Sequence, residues 1–309
     1  MDMSSIISLL QTSLELGLVS SLTVLALFLS YTMLNVCDLS TDGCFTLGAA
    51  VGAVVALSGH PFLSIPAAMV AGMLSGLITG VLQTKMGIDS LLSGIIVNTA
   101  LYSINIAVMG NSSLLNLNKT ETIFTMFKSA FAGTAFAASY KTVIVLIAVA
   151  VVVVFLTLFL GTRLGLAIRA TGNNPDMVRS SSINPVFTTL VGLCVANAFT
   201  ALSGCMLGQL QKSVNIDIGT GMVTMALASL LIGRAFMGKG PVSVRAVGAV
   251  VGAIIFRIVY AIALRFNMPA FMLKLVSSVI VIIAISGPYI KTQIPVIKRR
   301  MSAGKGRVE

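Results

Sequence analysis

Charged side chains are scarce in this chain. Of its 309 residues, 9% are Asp, Glu, Lys or Arg, 57% are hydrophobic, and the mean hydropathy is +1.02. A soluble domain carries about 25% charged residues. A water-soluble fold of this length could not hide so much apolar surface, whereas a bilayer is itself an apolar solvent. Histidine is limited to His60, just before Pro61. A lone histidine has no partner for a metal site or a catalytic pair, so no metal and no catalytic residue is expected. The four cysteines, Cys37, Cys44, Cys194 and Cys205, form no C-x-x-C pair and lie in or beside apolar runs. They read as small buried residues. The patterns H-E-x-x-H and G-x-S-x-G are absent, and the acids near apolar segments are Asp38, Asp42, Asp89 and Asp217. A membrane enzyme would need a denser reactive cluster. No G-x-x-x-x-G-K-[ST] run occurs, so no nucleotide-binding loop is found. The start Met1-Asp2-Met3-Ser4-Ser5 has no basic region, so no cleavable signal peptide is expected.

What is present is a series of apolar segments long enough to cross a bilayer. They fall near 14–34, 43–59, 62–84, 90–109, 141–161, 186–207, 219–236, 242–264 and 270–287. The expectation is an all-α polytopic bundle of about nine spans, a transmembrane domain over 1–288 followed by a basic tail over 289–309. The second span is short and Gly-rich. Polar stretches at 110–140 and 162–185 separate the spans.

The net charge of +11 invites a nucleic-acid reading. The basic residues instead lie between apolar segments or in the tail, which is the pattern of a topogenic signal. Placing the tail in the cytoplasm puts Lys291, Lys298, Arg299, Arg300, Lys305 and Arg307 inside. Lys85, Arg163, Arg169, Arg179, Arg234, Lys239 and Arg245 then follow. Lys119, Lys128, Lys141, Lys212, Arg265 and Lys274 fall outside. Thirteen inward charges against six favour an outside N-terminus and a cytoplasmic C-terminus. Arg257 lies within a span. It reads either as an arginine snorkelling to the outer interface or as one facing a water-filled path or a dimer contact.

Two stretches echo each other. Asn35-Val36-Cys37-Asp38-Leu39-Ser40-Thr41-Asp42-Gly43 precedes one Gly/Ala-rich helix, and Asn215-Ile216-Asp217-Ile218-Gly219-Thr220-Gly221 precedes another. Each has an Asn, an acid, then Thr and Gly. Inverted halves with half-helices would place such polar starts near the bilayer middle from opposite sides. There Asp, Ser and Thr could cap N–H groups that hydrocarbon leaves unsatisfied; two ordinary caps at interfacial loops would show the same residues. Gly72, Gly76 and Gly80, and Gly248 and Gly252, fit small-xxx-small helix contacts. Asn35, Asp38, Asp42, Asn98, Asn197 and Asp217 are the candidate path residues, by their polarity within or beside apolar spans.

The segment 162–185 is polar, basic and longer than a minimal turn. Gly172 can break a helix, and Asn174-Pro175-Asp176 can start another. A plain positive-inside loop explains the arginines alone; a docking element explains the arginines and the helix-turn-helix pattern together. The run Thr162-x-x-Gly165-x-x-x-Arg169-Ala170-x-Gly172-x-Asn174-Pro175, with Ile183-Asn184 later, resembles the coupling loop of bacterial ABC importer permeases. The resemblance is to the group serving branched-chain amino acids, ribose-type sugars and nucleosides, closest in look to amino-acid permeases, aromatic ones included. Asn173 and Asn174 share the family's Asn position, and Ser182 stands where the family usually has Gly. The starts at 35–43 and around Asp217, and the stretch Gly233 to Gly240 with Lys239-Gly240-Pro241, resemble that family too.

The resemblance implies a transport function in a bacterial cell membrane. It implies a second permease copy, expected as a homodimer, and a cytoplasmic ATPase dimer that holds the ATP and Mg. It also implies an extracytoplasmic solute-binding protein. Arg163, Arg169, Gly172, Asn173, Asn174, Pro175, Asp176 and Arg179 are then the residues expected to couple to the ATPase. A path lined by Asn, Ser and Thr suits a small polar solute, and the family points to an amino acid. A channel or ion-driven carrier without an ATPase is the alternative, although its ionisable groups should lie inside spans.

Overall fold

The computed structural model describes residues 3–130, 139–237 and 240–265, with isolated positions at 275, 278, 279, 282 and 286. The expected ninth span at 270–287 and the basic tail lie outside the continuous described segments. Within them the regular structure is helical apart from one small ribbon.

Helix α1 (Met3–Leu27) continues into a π-helical turn at Phe28–Met33. Then come α2 (Thr41–Leu57), α3 (Ser64–Thr84) and α4 (Ser90–Val108). The strand β1 (Leu114–Asn116) and the short helix α5 (Ile123–Ala130) follow, then α6 (Tyr140–Gly161). Two short helices, α7 (Arg163–Asn173) and α8 (Pro175–Ser180), lead to α9 (Pro185–Gln211). The strand β2 (Ser213–Asn215), α10 (Met222–Met237) and α11 (Val242–Arg265) complete the described part.

Six described helical segments are long and apolar enough to cross a bilayer: Leu9–Met33, Ser64–Thr84, Ser90–Val108, Tyr140–Gly161, Pro185–Gln211 and Val242–Ala263. Two of the nine expected spans, 43–59 and 219–236, are instead the shorter helices α2 and α10, of 17 and 16 residues. At about 1.5 Å per residue such helices fall short of a hydrocarbon core of about 30 Å. The polar stretch at 110–140 contains β1 and α5, which the hydropathy reading left as a connection. β1 pairs antiparallel with β2, Leu114 opposite Asn215 and Asn116 opposite Ser213. This ribbon ties the chain after α4 to the chain after α9. Gln209 adds a second tie, accepting from the Ile123 amide at 3.0 Å and donating to Ser64 at 2.6 Å.

Burial sorts the helices into an inner and an outer set. The α1 and α9 spans are 83% and 78% buried, whereas α3, α4, α6 and α11 are each about one-third buried or less. The outer helices turn Leu74, Ile78, Ile95, Ile147, Val154 and Leu158 outward. In water that surface would aggregate; against lipid it is the favoured solvent contact. Inside, close packing replaces the hydrophobic effect as the force that joins helices. Gly48 of α2 lies on the Ala201 backbone of α9, and Gly204 of α9 on the Phe45 carbonyl of α2, each with no room for a Cβ. Gly72 and Gly76 bring α3 onto the Asn197 and Leu193 carbonyls of α9, and Gly252 brings α11 onto the Ser229 carbonyl of α10.

Arg257 turns toward α1. Its Nε and Nη2 donate to the Ser20 hydroxyl of α1 at 3.1 and 2.8 Å. On the same helix, the buried Glu15 accepts from Thr142 of α6 at 3.0 Å. Polar side chains thus join α1 to two outer helices across the apolar bundle.

Candidate functional site

The short helix α2 begins inside the bundle, and its start is built by local polar chemistry. Asp38 is 2% exposed. Its Oδ1 accepts from the Ser40 amide at 2.8 Å and the Ser40 hydroxyl at 2.6 Å. Its Oδ2 accepts from Asn197 Nδ2 of α9 at 2.7 Å. The Thr41 hydroxyl donates to the Asp38 carbonyl at 2.9 Å, and Thr79 of α3 donates to Ser40 at 3.3 Å. No cation pairs with Asp38 among the described residues. A buried carboxylate without a cation is tolerable only when donors surround it, and here three donors and the positive end of α2 do so.

Asp42 in the first turn of α2 does something different. It caps another helix. Its Oδ2 accepts from the Gly221 amide at 2.9 Å and its Oδ1 from the Val223 amide at 2.8 Å, at the start of α10. Two positive helix ends therefore converge on one carboxylate. Gly219 lies against the Asp42 carbonyl and Thr46 with no space for a side chain. From this shared level the two helices lead to different ends. Ala53 and Ala56 of α2 pack in one cluster with Val214 and Ile216 beside the ribbon. Gly233 and Met237 of α10 line a cleft with Phe28 and Thr32 of the π-helical turn.

Helix α4 supplies a polar edge. The Asn98 Oδ1 stands against Gly43, and Asn105 Nδ2 donates to the Gly43 carbonyl at 3.1 Å. Asn105 was not singled out from the sequence. The available signal was its position seven residues after Asn98, two turns on along the same helix face. Two buried polar atoms near the α2 start, Asn105 Oδ1 and Asn197 Oδ1, have no hydrogen-bond partner among the described residues. Such atoms commonly meet water or a ligand.

The structure thus brings Asp38, Asp42, Asn98 and Asn197 together around the α2 start. Asn35 and Asp217 stand apart from these hydrogen bonds, and both are exposed. Asn35 takes a left-handed conformation, φ 57°, where the chain leaves the π-helical turn. Asp217 shapes the turn before α10: its amide donates to Asn215 at 3.0 Å and its carbonyl accepts from Thr220 at 3.0 Å.

The second region is the helix-turn-helix at 162–185. Thr162 caps α7 by accepting from Gly165 at 3.2 Å. Asn174 caps α8 by accepting from the Asp176 and Met177 amides at 3.1 and 3.0 Å, with Pro175 at the first helical position. Asn184 caps α9 the same way, with Pro185 following. The turn therefore falls at Asn174. Gly172 lies inside α7, where its task is close approach: a Cβ there would collide with the Met33 carbonyl and the Leu34 backbone. Ile168 and Val178 are fully buried, and Thr171 and Thr188 share a hydrogen bond of 2.8 Å.

These contacts fasten the element to the end of α1, to α6 and to α9. Its outer face carries Arg163, Asn173, Asn174, Pro175, Asp176 and Arg179, all exposed, with Arg169 half-buried. Leu166 and Met177 are also exposed among them. The Arg179–Asp176 pair, at 3.9 Å and mostly in solvent, contributes little.

Ser182, where the resembling family has Gly, takes φ 59°. Left-handed backbone costs a side-chain-bearing residue roughly 1–2 kcal/mol, and Gly in the unfolded chain returns part of that. Ser182→Gly should therefore leave the melting temperature unchanged or raise it. Thermal melting of the purified full chain checks this, and a clear drop would contradict the strain assigned to Ser182.

The comparisons with known proteins agree with one another. The family described as branched-chain amino acid transport system / permease component matches residues 9–285. A tyrosine transport system permease protein from Clostridioides difficile is 32% identical over 281 residues, covering 91% of this chain and 90% of the relative. The ribose import permease protein RbsC of Escherichia coli is 26% identical, covering 71% and 66%. A nucleoside ABC transporter permease protein, NupB, from Lactococcus lactis is 26% identical over 52% of this chain and 48% of that protein. No solved structure matches. A polytopic helical bundle with two shorter apolar helices and a capped helix-turn-helix, matched over nearly its whole length, belongs to the branched-chain amino acid permease family of ABC transporters.

Proposed function

We propose that this chain is the membrane-spanning subunit of an ATP-driven importer that carries a small polar solute of the amino-acid class. The observation that carries the reading is a capped element, α7–α8, seated without slack on the ends of α1, α6 and α9. Packed helices move as units, so a push on such an element is transmitted to the bundle. The pushing partner is a cytoplasmic ATPase dimer holding ATP and Mg. It contacts Arg163, Arg169, Asn173, Asn174, Pro175, Asp176 and Arg179, with Gly172 holding the element in place.

The path runs beside Asp42 and Asn98, with Asp38 and Asn197 behind them and Asn35 and Asp217 at its margins. Thr220 and Thr224 are exposed near the half-buried Asp42. Exposed polar side chains at that depth are costly against lipid, which favours a second permease copy or water over that face. Two helix N-termini and neutral Asn and Thr side chains suit a zwitterion. The tyrosine-transport name of one relative supports an amino acid.

The opposite courses of α2 and α10 from one level support inverted repeats, with a ninth span following α11. The coupling element then lies in the cytoplasm with the basic tail, the N-terminus lies outside, and an external binding protein delivers the solute at a bacterial inner membrane. Reconstitution of the chain with its ATPase and binding protein in liposomes tests the reading. Labelled tyrosine or another amino acid should accumulate only with ATP inside the compartment that holds the ATPase. Uptake driven by an ion gradient without any ATPase would establish the carrier alternative instead.

A further inference from the structure

A groove of about 580 Å³ runs between α3 and α6 over a floor made by α9. Every side chain that lines it is Ala, Val, Ile, Leu, Met or Phe. The α3 wall extends from Ile65 to Met73, the α6 wall from Ile144 to Phe155, and the floor from Val195 to Met206. Ile65 and Ile144 lie near the starts of their helices, and Met206 lies near the end of α9. That end of the bundle is opposite to α7, which follows the end of α6. Eleven residues of helix are roughly 16 Å long. One leaflet of a hydrocarbon core about 30 Å thick is about 15 Å deep. The groove thus has the depth of a single leaflet.

Aromatic pairs close both ends. At the shallow end Phe62, just before α3, meets Phe127 of α5 edge to face, with ring centres 5.8 Å apart. At the deep end Phe155 of α6 meets Phe199 of α9 edge to face, also at 5.8 Å. A spanning helix of another subunit, about 10 Å across, could lie over the groove but could not sink into it, because both pairs stand in its lane. Water finds no polar partner here and does not fill the space. Left empty, the lining would forfeit its dispersion contacts. The side remains open. Ile147 and Val151, 57% and 61% exposed, form its rim and continue the lipid-facing surface of α6.

We propose that one acyl chain of a phospholipid from that leaflet lodges in the groove and stays there as a bound lipid. A chain entering from the side meets protein on three sides instead of one, and a leaflet-deep groove matches its length. Lys141, in the first turn of α6 and three residues before Ile144, is on the same side of the helix and at the level of a lipid phosphate. The lodged chain touches α3, α6 and α9 together, and α6 runs directly into α7. The proposal rests on these helices spanning the bilayer, and it stands whatever the solute and the direction of transport.

The chain contains no tryptophan, so a single introduced one reports its own surroundings. Phe155→Trp puts the reporter at the deep end of the groove. Leu158→Trp puts it on the outward face of α6, where Leu158 is 68% exposed. The full chain is reconstituted with phosphatidylglycerol brominated on its acyl chains, which quenches Trp emission, and is then transferred to detergent. Lipid on the outward face washes away, so Leu158→Trp should regain its emission. Phe155→Trp should stay quenched, and native mass spectra should show one phospholipid retained per chain. Filling the groove from its rim with Val151→Phe, or from its wall with Ala148→Phe, should release that lipid and restore the emission of Phe155→Trp. Equal recovery by the two reporters overturns the proposal. Retention of a free fatty acid in place of a phospholipid overturns it too. So does a parent without retained lipid whose Val151→Phe variant falls from dimer to monomer, which would seat a second copy at the groove.

Discussion

Asp42→Ala should cut the initial rate of uptake at least tenfold and lower the melting temperature of the assembled permease. Asp42 belongs to α2 yet satisfies the Gly221 and Val223 amides of α10. Hydrogen bonds to a charged group each contribute about 1.5–3 kcal/mol. Their loss would leave two N–H groups at a helix start without a partner and remove the one contact through which both helix ends share a charge. Asp42→Asn separates geometry from charge. Its single carbonyl oxygen can still accept one of the two bonds, so uptake and stability should fall between those of the parent and of Ala. Uptake and melting of the Ala variant equal to the parent's would show that the clasp between α2 and α10 has no part in transport.

Gly172→Val should abolish ATP-dependent uptake while the ATPase, if still bound, continues to hydrolyse ATP. The sign of a milder change is informative. On a solvated helix, Gly→Ala raises stability by about 1 kcal/mol because Gly has the larger conformational freedom to lose. Here even the Cβ of Ala meets the Met33 carbonyl and the Leu34 backbone, which cannot rotate aside. Gly172→Ala should therefore destabilise, and Val should push α7 off the end of α1. Arg169→Glu tests the outer face of the same element. It should weaken ATPase binding without disturbing the seat, and it should not invert the topology, because twelve inward basic residues would remain against six. Transport per ATP hydrolysed, measured in proteoliposomes, distinguishes uncoupling from loss of the subunit. A stabilised Gly172→Ala protein with parent-like coupling would return 162–185 to the role of a solvated basic loop.

Much of this architecture is legible from the residues alone, for a definite reason. A bilayer demands about twenty apolar residues in a row, and that requirement is local along the chain. The expected spans at 62–84, 90–109, 141–161 and 242–264 correspond to α3, α4, α6 and α11 within a few residues. Caps are local as well. Asn174 with Pro175 and Asn184 with Pro185 act on amides two or three residues away, so the helix-turn-helix could be read directly.

Other features depend on which surfaces meet. Hydropathy does not set α2 and α10 apart from the longer helices, because they are as apolar and differ only by a few residues in length. Nothing near Asp42 in the sequence points to Gly221, 179 positions away. Gly219 lets the chain just before α10 lie on the Asp42 carbonyl, which brings the α10 start within reach of the α2 carboxylate. Gly172 reads as a helix breaker by type and proves to be a packing residue by position. Nothing in the sequence pairs Arg257 with Ser20, 237 positions away. The sequence by itself determined that the chain is a bundle of apolar helices with a capped polar element between two of them, since length, hydropathy and caps act over a few residues. Only the tertiary structure decided which helix starts share a carboxylate and which glycine seats the helix-turn-helix, because those depend on backbone approaches between segments far apart along the chain.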